Sequence, residues 1–295
     1  MNETYENILL KVSKNDVEIV RRILLWLAFA VLPLTLEELH KAAVIEQEMD
    51  ELDEDSLLSS PQEILSLCGS LVSLSEQGHV RLAHLSVKDY LLSSDACLPS
   101  FLMNPTDAYN ELGLDCLTYL SYKSLANGPT PTREDYIERL SQHPFLQHAA
   151  RGWTYYVRAT TTTPKLNDFI LDFLSPRSHD TFMSWVQLLN ARDCSQWDFY
   201  PRHATPLYYS ASFGLAEMVE NLIKSGVDLN APGSRFGGTA LHAAVIRYHV
   251  DVMKLLPRRG SGPQSSRHQM YQPSPHRCLT WERGPDKFFA GVRSL

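Results

Sequence analysis

His84, Ser86 and Asp89 are the residue types of a hydrolytic triad, a base, a nucleophile and an orienting carboxylate, all within six positions. Triad members act only when they converge with an oxyanion hole, and an esterase-type serine needs a strained Gly-x-Ser-x-Gly turn, which this chain lacks. The three therefore read as helix punctuation, Ser86 as a cap and Asp89 as its partner. Phosphate chemistry has no footing either, because a GxxxxGK[ST] cradle requires a Gly-Lys pair and none occurs. His143 and His148 flank Pro144, His276 and Cys278 stand near the end, and neither pair belongs to a four-ligand set with structural-zinc spacing. Cys68, Cys97, Cys116, Cys194 and Cys278 lie far apart without CxxC spacing, as expected of reduced thiols in a cytosolic or nuclear protein. The expectation is no enzyme, no cofactor and no metal.

The elements that would position any site begin with ordinary globular composition. The 295 residues are 44% hydrophobic and 21% charged, which suggests about two domains. With 27 Lys and Arg against 34 Asp and Glu, the net charge of -7 disfavours a whole-chain grip on nucleic acid or an anionic membrane. Seven of the acids (Glu46, Glu48, Asp50, Glu51, Asp53, Glu54 and Asp55) fall in one run that reads as a solvated loop or frayed helix end. The longest uncharged apolar run, Ile23 to Leu36, contains Pro33 and is shorter than the roughly 20 residues of a membrane span.

Apolar periodicity predicts a helix through Tyr5, Ile8, Leu9 and Val12, then a second capped by Asp16 with Ile19, Ile23, Trp26, Leu27 and Ala30 inward and Arg21 and Arg22 on the solvated side. Thr35 and Glu38 form a capping box for a third helix, and Ser60-Pro61-Gln62-Glu63 repeats that logic for a fourth with Ile64, Leu67, Cys68 and Leu71 buried. The period then changes: residues 71–74 and 80–83 are β-type runs joined by Glu76-Gln77-Gly78-His79, and helix returns from His84 to Tyr90. Residues 1–95 thus describe a winged-helix-like α+β module.

Residues 96–200 read as an irregular helical spacer, broken at Asn127-Gly128-Pro129-Thr130-Pro131 and Thr161-Thr162-Thr163-Pro164. Within 201–256 the chain repeats itself at an offset of 34: Thr205-Pro206-Leu207-Tyr208 aligns with Thr239-Ala240-Leu241-His242, and Met218, Val219 and Leu222 with Val252, Met253 and Leu256. That is one residue above the ankyrin period. Two ankyrin-type repeats are expected, the second incomplete, with Gly226 in a left-handed helix terminus. From Pro257 to Leu295 the composition predicts a disordered tail in which Trp281, Phe288 and Phe289 could form a docking motif. The predicted class is mainly α, with α+β at the N-terminus.

Three blocks carry a family resemblance: Ile23-Leu24-Leu25-Trp26-Leu27-Ala28-Phe29-Ala30, Pro33-Leu34-Thr35-Leu36-Glu37-Glu38-Leu39, and Leu82-Ala83-His84-Leu85-Ser86-Val87-Lys88-Asp89-Tyr90-Leu91-Leu92. They resemble the winged-helix module of NACHT-ankyrin proteins of the STAND class. Pro144-Phe145-Leu146 with Gly152-Trp153 resembles the family's helical spacer, and Thr205-Pro206-Leu207-Tyr208-Tyr209 its first ankyrin repeat, so the likeness spans roughly residues 1–256. The family's nucleotide-dependent switching needs a phosphate loop that is absent here, so the expectation is a truncated relative, or a fragmentary gene, without the nucleotide-binding module.

The expected function is non-enzymatic protein–protein interaction, as a cytoplasmic or nuclear scaffold. Ankyrin units bind through loop tips and the exposed side of their first helices, which singles out Asn230, Arg235, Phe236, Tyr209, Ser212, Phe213, Ile246, Arg247, Tyr248 and His249. Two alternatives stand beside it: a regulatory fragment that pairs with a full-length NACHT relative, and an unrecognised hydrolase. The helix before the hairpin, 61–70, contains Glu63 and no Lys or Arg, so nucleic acid is not an expected partner.

Overall fold

The computed structural model describes residues 2–47 and 49–256, and the expectations for 257–295 lie outside the described residues. Helix α1 spans Asn2–Leu9 and α2 Val17–Phe29, followed by strand β1 at Leu34–Thr35 and α3 at Leu36–Ala42. Helix α4 is Glu63–Cys68, β2 Val72–Leu74, β3 His79–Leu82 and α5 Leu85–Leu91. The three strands form an antiparallel sheet in the order β1-β3-β2, with Leu34 opposite Val80 and Val72 opposite Leu82. This order of helices, hairpin and edge strand is the winged-helix arrangement. Strand β1 was not expected from the sequence, because two residues are too few to show an alternating period.

Side-chain caps mark several of the starts, though Asp16, expected to cap α2, makes no such hydrogen bond there. Thr35 Oγ1 accepts from Glu38 N at 3.2 Å and Glu38 Oε2 from Thr35 N at 2.8 Å, completing the expected box. At α4 the box is displaced: Glu63 Oε2 accepts from Ser59 N at 2.9 Å, and Pro61 and Gln62 form a turn before the helix. At α5 the cap is His84, whose Nδ1 accepts from Ser86 N at 3.1 Å, so Ser86 is not the capping residue.

Helices α6 (Pro105–Leu120), α7 (Arg133–Gln142), α8 (Leu146–Arg158), α9 (Pro164–Phe173) and α10 (His179–Asn190) follow, and α1 to α10 belong to one compact unit, Met1–Arg202. Its centre is aromatic. The Trp26 ring lies 5.0 Å from Phe145 and 5.5 Å from His148, and Trp153 packs 5.4 Å from Trp185.

Arg22 corrects the sequence reading most sharply. It is not on a solvated face: its Nη2 donates to Asp115 Oδ2 at 2.8 Å and to Ile45 O at 2.9 Å, its Nη1 to Glu111 Oε1 at 3.1 Å, and its Nε to Ala43 O at 2.8 Å. One guanidinium thereby joins α2, the end of α3 and α6. Helical spacing marked the position as polar, but only the fold brings two carboxylates from about 90 residues away to meet it. The acidic run is tied down as well as solvated: Glu51 accepts from Ser124 N at 2.6 Å and Ser124 Oγ at 2.8 Å.

The second unit begins at His203 and contains α11 (Pro206–Phe213), α12 (Ala216–Lys224), α13 (Ala240–Ile246) and α14 (Val250–Leu255). The helix starts obey the offset of 34, since α11 and α13 begin at 206 and 240, and α12 and α14 at 216 and 250. Leu207, Ala211, Val219, Ala240, Ala244, Val252 and Leu256 form its core, the small residues allowing α11 and α13 to pack closely. Thr205 Oγ1 caps Tyr208 N at 3.3 Å, and Gly226 takes φ +82 after α12, as its position predicted.

Burial pushes the Asp115 carboxyl up to about 7, with Arg22 opposing, and pushes the His148 imidazole down to about 3. Between roughly pH 4 and 6.5 folded Asp115 holds a proton its unfolded form has lost, so its contribution to stability falls as pH rises. His148 does the reverse, since the unfolded imidazole binds the proton that the folded one refuses. The slopes oppose each other, and Asp115→Asn is expected to leave a steeper rise in stability from pH 4 to 6.5 than the native chain shows, read by urea unfolding at each pH. Arg22→Ala leaves Asp115 and the Ala43 and Ile45 carbonyls without their donor and is expected to cost about 3 kcal/mol or more in urea unfolding at pH 8, where Asp115 is ionised.

Candidate functional site

The loop between α12 and α13 is a closed finger. Gly233 N donates to Gly238 O at 2.9 Å, and Ser234 Oγ accepts from Gly238 N at 2.7 Å and from Phe236 N at 3.3 Å. Gly237, at φ +74, turns the chain back and leaves Arg235 and Phe236 at the tip, with Phe236 75% exposed. Gly233 anchors the base, because a Cβ there would sit 2.1 Å from the Tyr208 Cβ. Asn230 is exposed in the same loop, its N–H donating to Asp228 Oδ1 at 2.9 Å.

A second exposed feature is the corner between α13 and α14. Tyr248 holds φ +58, a left-handed conformation that a bulky side chain rarely takes, and is 84% exposed. Its equivalent 34 residues earlier is Gly214, at φ +70. His249 is half-buried and its Nε2 is 3.0 Å from Ser212 O, in position to donate to that carbonyl; the half-buried Arg247 guanidinium lies 5.8 Å from the Phe213 ring centre. These two side chains fasten the corner onto the first repeat. Around it Val245, Ile246 and Val250 are 50%, 47% and 51% exposed.

The expected site residues therefore separate into three groups. Asn230, Arg235 and Phe236 form the finger, while Ile246, Arg247, Tyr248 and His249 form the corner. Helix α13, seven residues or about 10 Å long, stands between them. Tyr209, Ser212 and Phe213 do not offer the exposed side assigned to them: all three are buried. The reason lies in the composition of α11, Pro-Leu-Tyr-Tyr-Ser-Ala-Ser-Phe, which has no charged residue and hence no solvated face. Val245 and Val250 were missed. The signal was available, since they replace Ala211 and Ala216 at the repeat offset.

In the first unit, His84 Nδ1 lies 2.7 Å from Ser86 Oγ, which is also 2.7 Å from Tyr5 OH, so the pair ties α1 to α5 as well as capping it. An open cleft of about 470 Å³ lies among Arg21, Leu25, Met103, Asp107 and Glu111, and its arginine is held by Glu111 at 2.7 Å. Among the described residues no three His, Cys, Asp or Glu side chains are grouped to hold a metal, and no helix is long and apolar enough to cross a membrane.

Comparison with known proteins agrees with these two architectures. Residues 8–101 match the family described as GPI inositol-deacylase, winged helix domain, and residues 179–265 match ankyrin repeats (3 copies). A winged helix and ankyrin repeats share this chain. The ankyrin match takes in α10 as well as both repeats and continues beyond the described residues. The chain is 26% identical over 289 residues to azaphilone pigments biosynthesis cluster protein L of Monascus ruber, covering 88% of this chain and 59% of that protein. The chain thus spans less than two thirds of that relative's length. No solved structure matches.

The finger is expected to tolerate change at its tip and not at its base. Gly233→Ala must displace Tyr208 and should destabilise the repeats by about 2 kcal/mol or more, whereas Gly237→Ala, with open space around it, should cost only about 1 kcal/mol of backbone strain. Thermal unfolding of the two variants side by side measures the difference.

Proposed function

We propose that the chain is a non-enzymatic interaction protein in which the ankyrin unit holds a protein partner at the finger formed by Asn230, Arg235 and Phe236. The observation that carries this reading is a large aromatic ring set 75% into solvent on a turn that three glycines and the Ser234 hydroxyl hold closed. An aromatic and an arginine on a pre-organised loop are the residue types that dominate protein interfaces, and rigidity lowers the entropy lost on binding. The winged-helix unit supports a structural role. Its α4, the helix before the hairpin, carries Glu63 without Lys or Arg, a poor match to a phosphate backbone. His84 and Ser86 use their hydrogen bonds to cap a helix and fasten α1.

A photo-crosslinking residue placed at Asn230, exposed in the same loop of the full chain, is expected in extracts of its source cells to trap a defined protein, a NACHT-type relative included among the outcomes that fit. Arg235→Ala with Phe236→Ala should reduce capture at least tenfold without shifting the unfolding transition. Capture equal in the double variant, or retention of ATP or GTP or turnover of an ester by the purified chain, would overturn the reading.

A further inference from the structure

We infer that the cleft between α2 and the start of α6 is a docking site for a protein partner that inserts an arginine side chain from an extended segment. Three parts of the first unit build it. Arg21 and Leu25 come from α2, Leu102 and Met103 from the chain between α5 and α6, and Asp107 and Glu111 from the first two turns of α6. Its walls are held by backbone bonds: Met103 N donates to Leu91 O at 2.9 Å, Leu102 N to Leu98 O at 3.1 Å, and Asn104 Oδ1 accepts from Thr106 N at 2.8 Å where α6 begins. Walls ordered in advance lower the entropy lost on binding.

The charges that line the cleft are unequal. Arg21 Nη2 donates to Glu111 Oε1 at 2.7 Å and its Nε to Glu18 Oε1 at 3.3 Å, so this cation is matched by two carboxylates. Arg22 donates through Nη1 to the same Glu111 oxygen and through Nη2 to Asp115. Glu111 thus meets both arginines through Oε1, and its Oε2 remains for a further donor. Asp107 is exposed, and its carboxylate makes no ion pair among the described residues. Four residues apart on one helix, these two acids stand side by side with roughly 5 to 6 Å between their Cβ atoms, a spacing that the planar fork of a guanidinium can bridge. The rest of the lining is apolar, with Leu25 and Met103 buried and Leu102 42% exposed at the edge. An apolar stem that ends in a cation fits both halves.

Size and charge select the form of the occupant. The cleft, about 470 Å³, has room for one long side chain with adjoining backbone, but it is open, whereas a small-molecule site encloses most of its ligand. Anions are disfavoured by two carboxylates against one guanidinium that is already paired. Residues 1–202 carry 28 acidic and 16 basic side chains, a field that steers a basic segment toward this unit. The chain's own residues 257–295, with seven basic and two acidic side chains, are the rival occupant. Their excess of five charges does not match the excess of twelve on 1–202, and the whole chain stays at -7.

The test is a titration of the full chain with acetyl-Leu-Arg-Ala-amide at low salt, followed by ligand-observed NMR. A dissociation constant on the order of 1 mM is expected for one charge-paired side chain. The citrulline analogue, which keeps the shape and loses the charge, should bind at least fivefold more weakly. Asp107→Asn and Leu102→Ser should each weaken the arginine peptide by a similar factor without shifting the unfolding transition, and 0.5 M salt should weaken it further. Equal affinity for the citrulline analogue, or an Asp107→Asn chain that binds as the native one does, would overturn the inference. So would binding that appears only after the six arginines of 257–295 are changed to Gln in the full chain, since that makes the chain's own segment the occupant; no binding by either chain at 10 mM overturns it as well. Arg235→Ala with Phe236→Ala should leave the titration unchanged, so failure here leaves the finger reading standing, and the reverse holds.

Discussion

The first unit depends on a single buried guanidinium. Arg22 pairs with two carboxylates on α6, sharing Glu111 with Arg21, and donates to the carbonyls of Ala43 and Ile45 that α3 leaves open at its end. An Arg can do this where a Lys cannot, because its fork offers donors in several directions from one rigid plane. The winged helix and the helical spacer behave as one unit for this reason, together with the aromatic packing of Trp26 against Phe145 and His148. The electrostatic cost is visible in Asp115, whose carboxyl is driven up to about 7 by burial despite the cation beside it.

The second unit follows a different rule. Each helix pair leans on its neighbour through small residues, Ala240 and Ala244 against Leu207 and Ala211, so stability there is a sum of local contacts. Such an architecture leaves its loops available. The finger is held by backbone and Ser234 hydrogen bonds, and the corner by His249 and Arg247 reaching back to the first repeat. Side chains at the tip can then change without disturbing the stack.

Much of the fold was legible because it is written in short-range rules. The capping box at Thr35 and Glu38, the hairpin turn at Gly78, the offset of 34 and the left-handed Gly226 depend on neighbours a few residues away. The errors share the opposite property. Arg22 looks solvated from its spacing because its partners are distant in sequence, the two residues of β1 have no period to show, and Ser86 has the residue type of the cap that His84 supplies. At the candidate site the reading of Asn230, Arg235 and Phe236 as exposed loop residues agrees with the structure, whereas Tyr209, Ser212 and Phe213, read as exposed, are buried by the packing of α11.

From the residues alone came the kinds of element, their order and the repeat, since hydrophobic period, caps and glycine conformation act locally. The missing Gly-Lys pair and Gly-x-Ser-x-Gly turn likewise needed no coordinates. Which polar groups are paired in the dark, and which apolar ones stand in water, was decided only by tertiary structure. The burial of a side chain is set by what arrives from elsewhere in the chain: Ala211 disappears beneath α13, while Val245, at the same place in the next repeat, is half exposed.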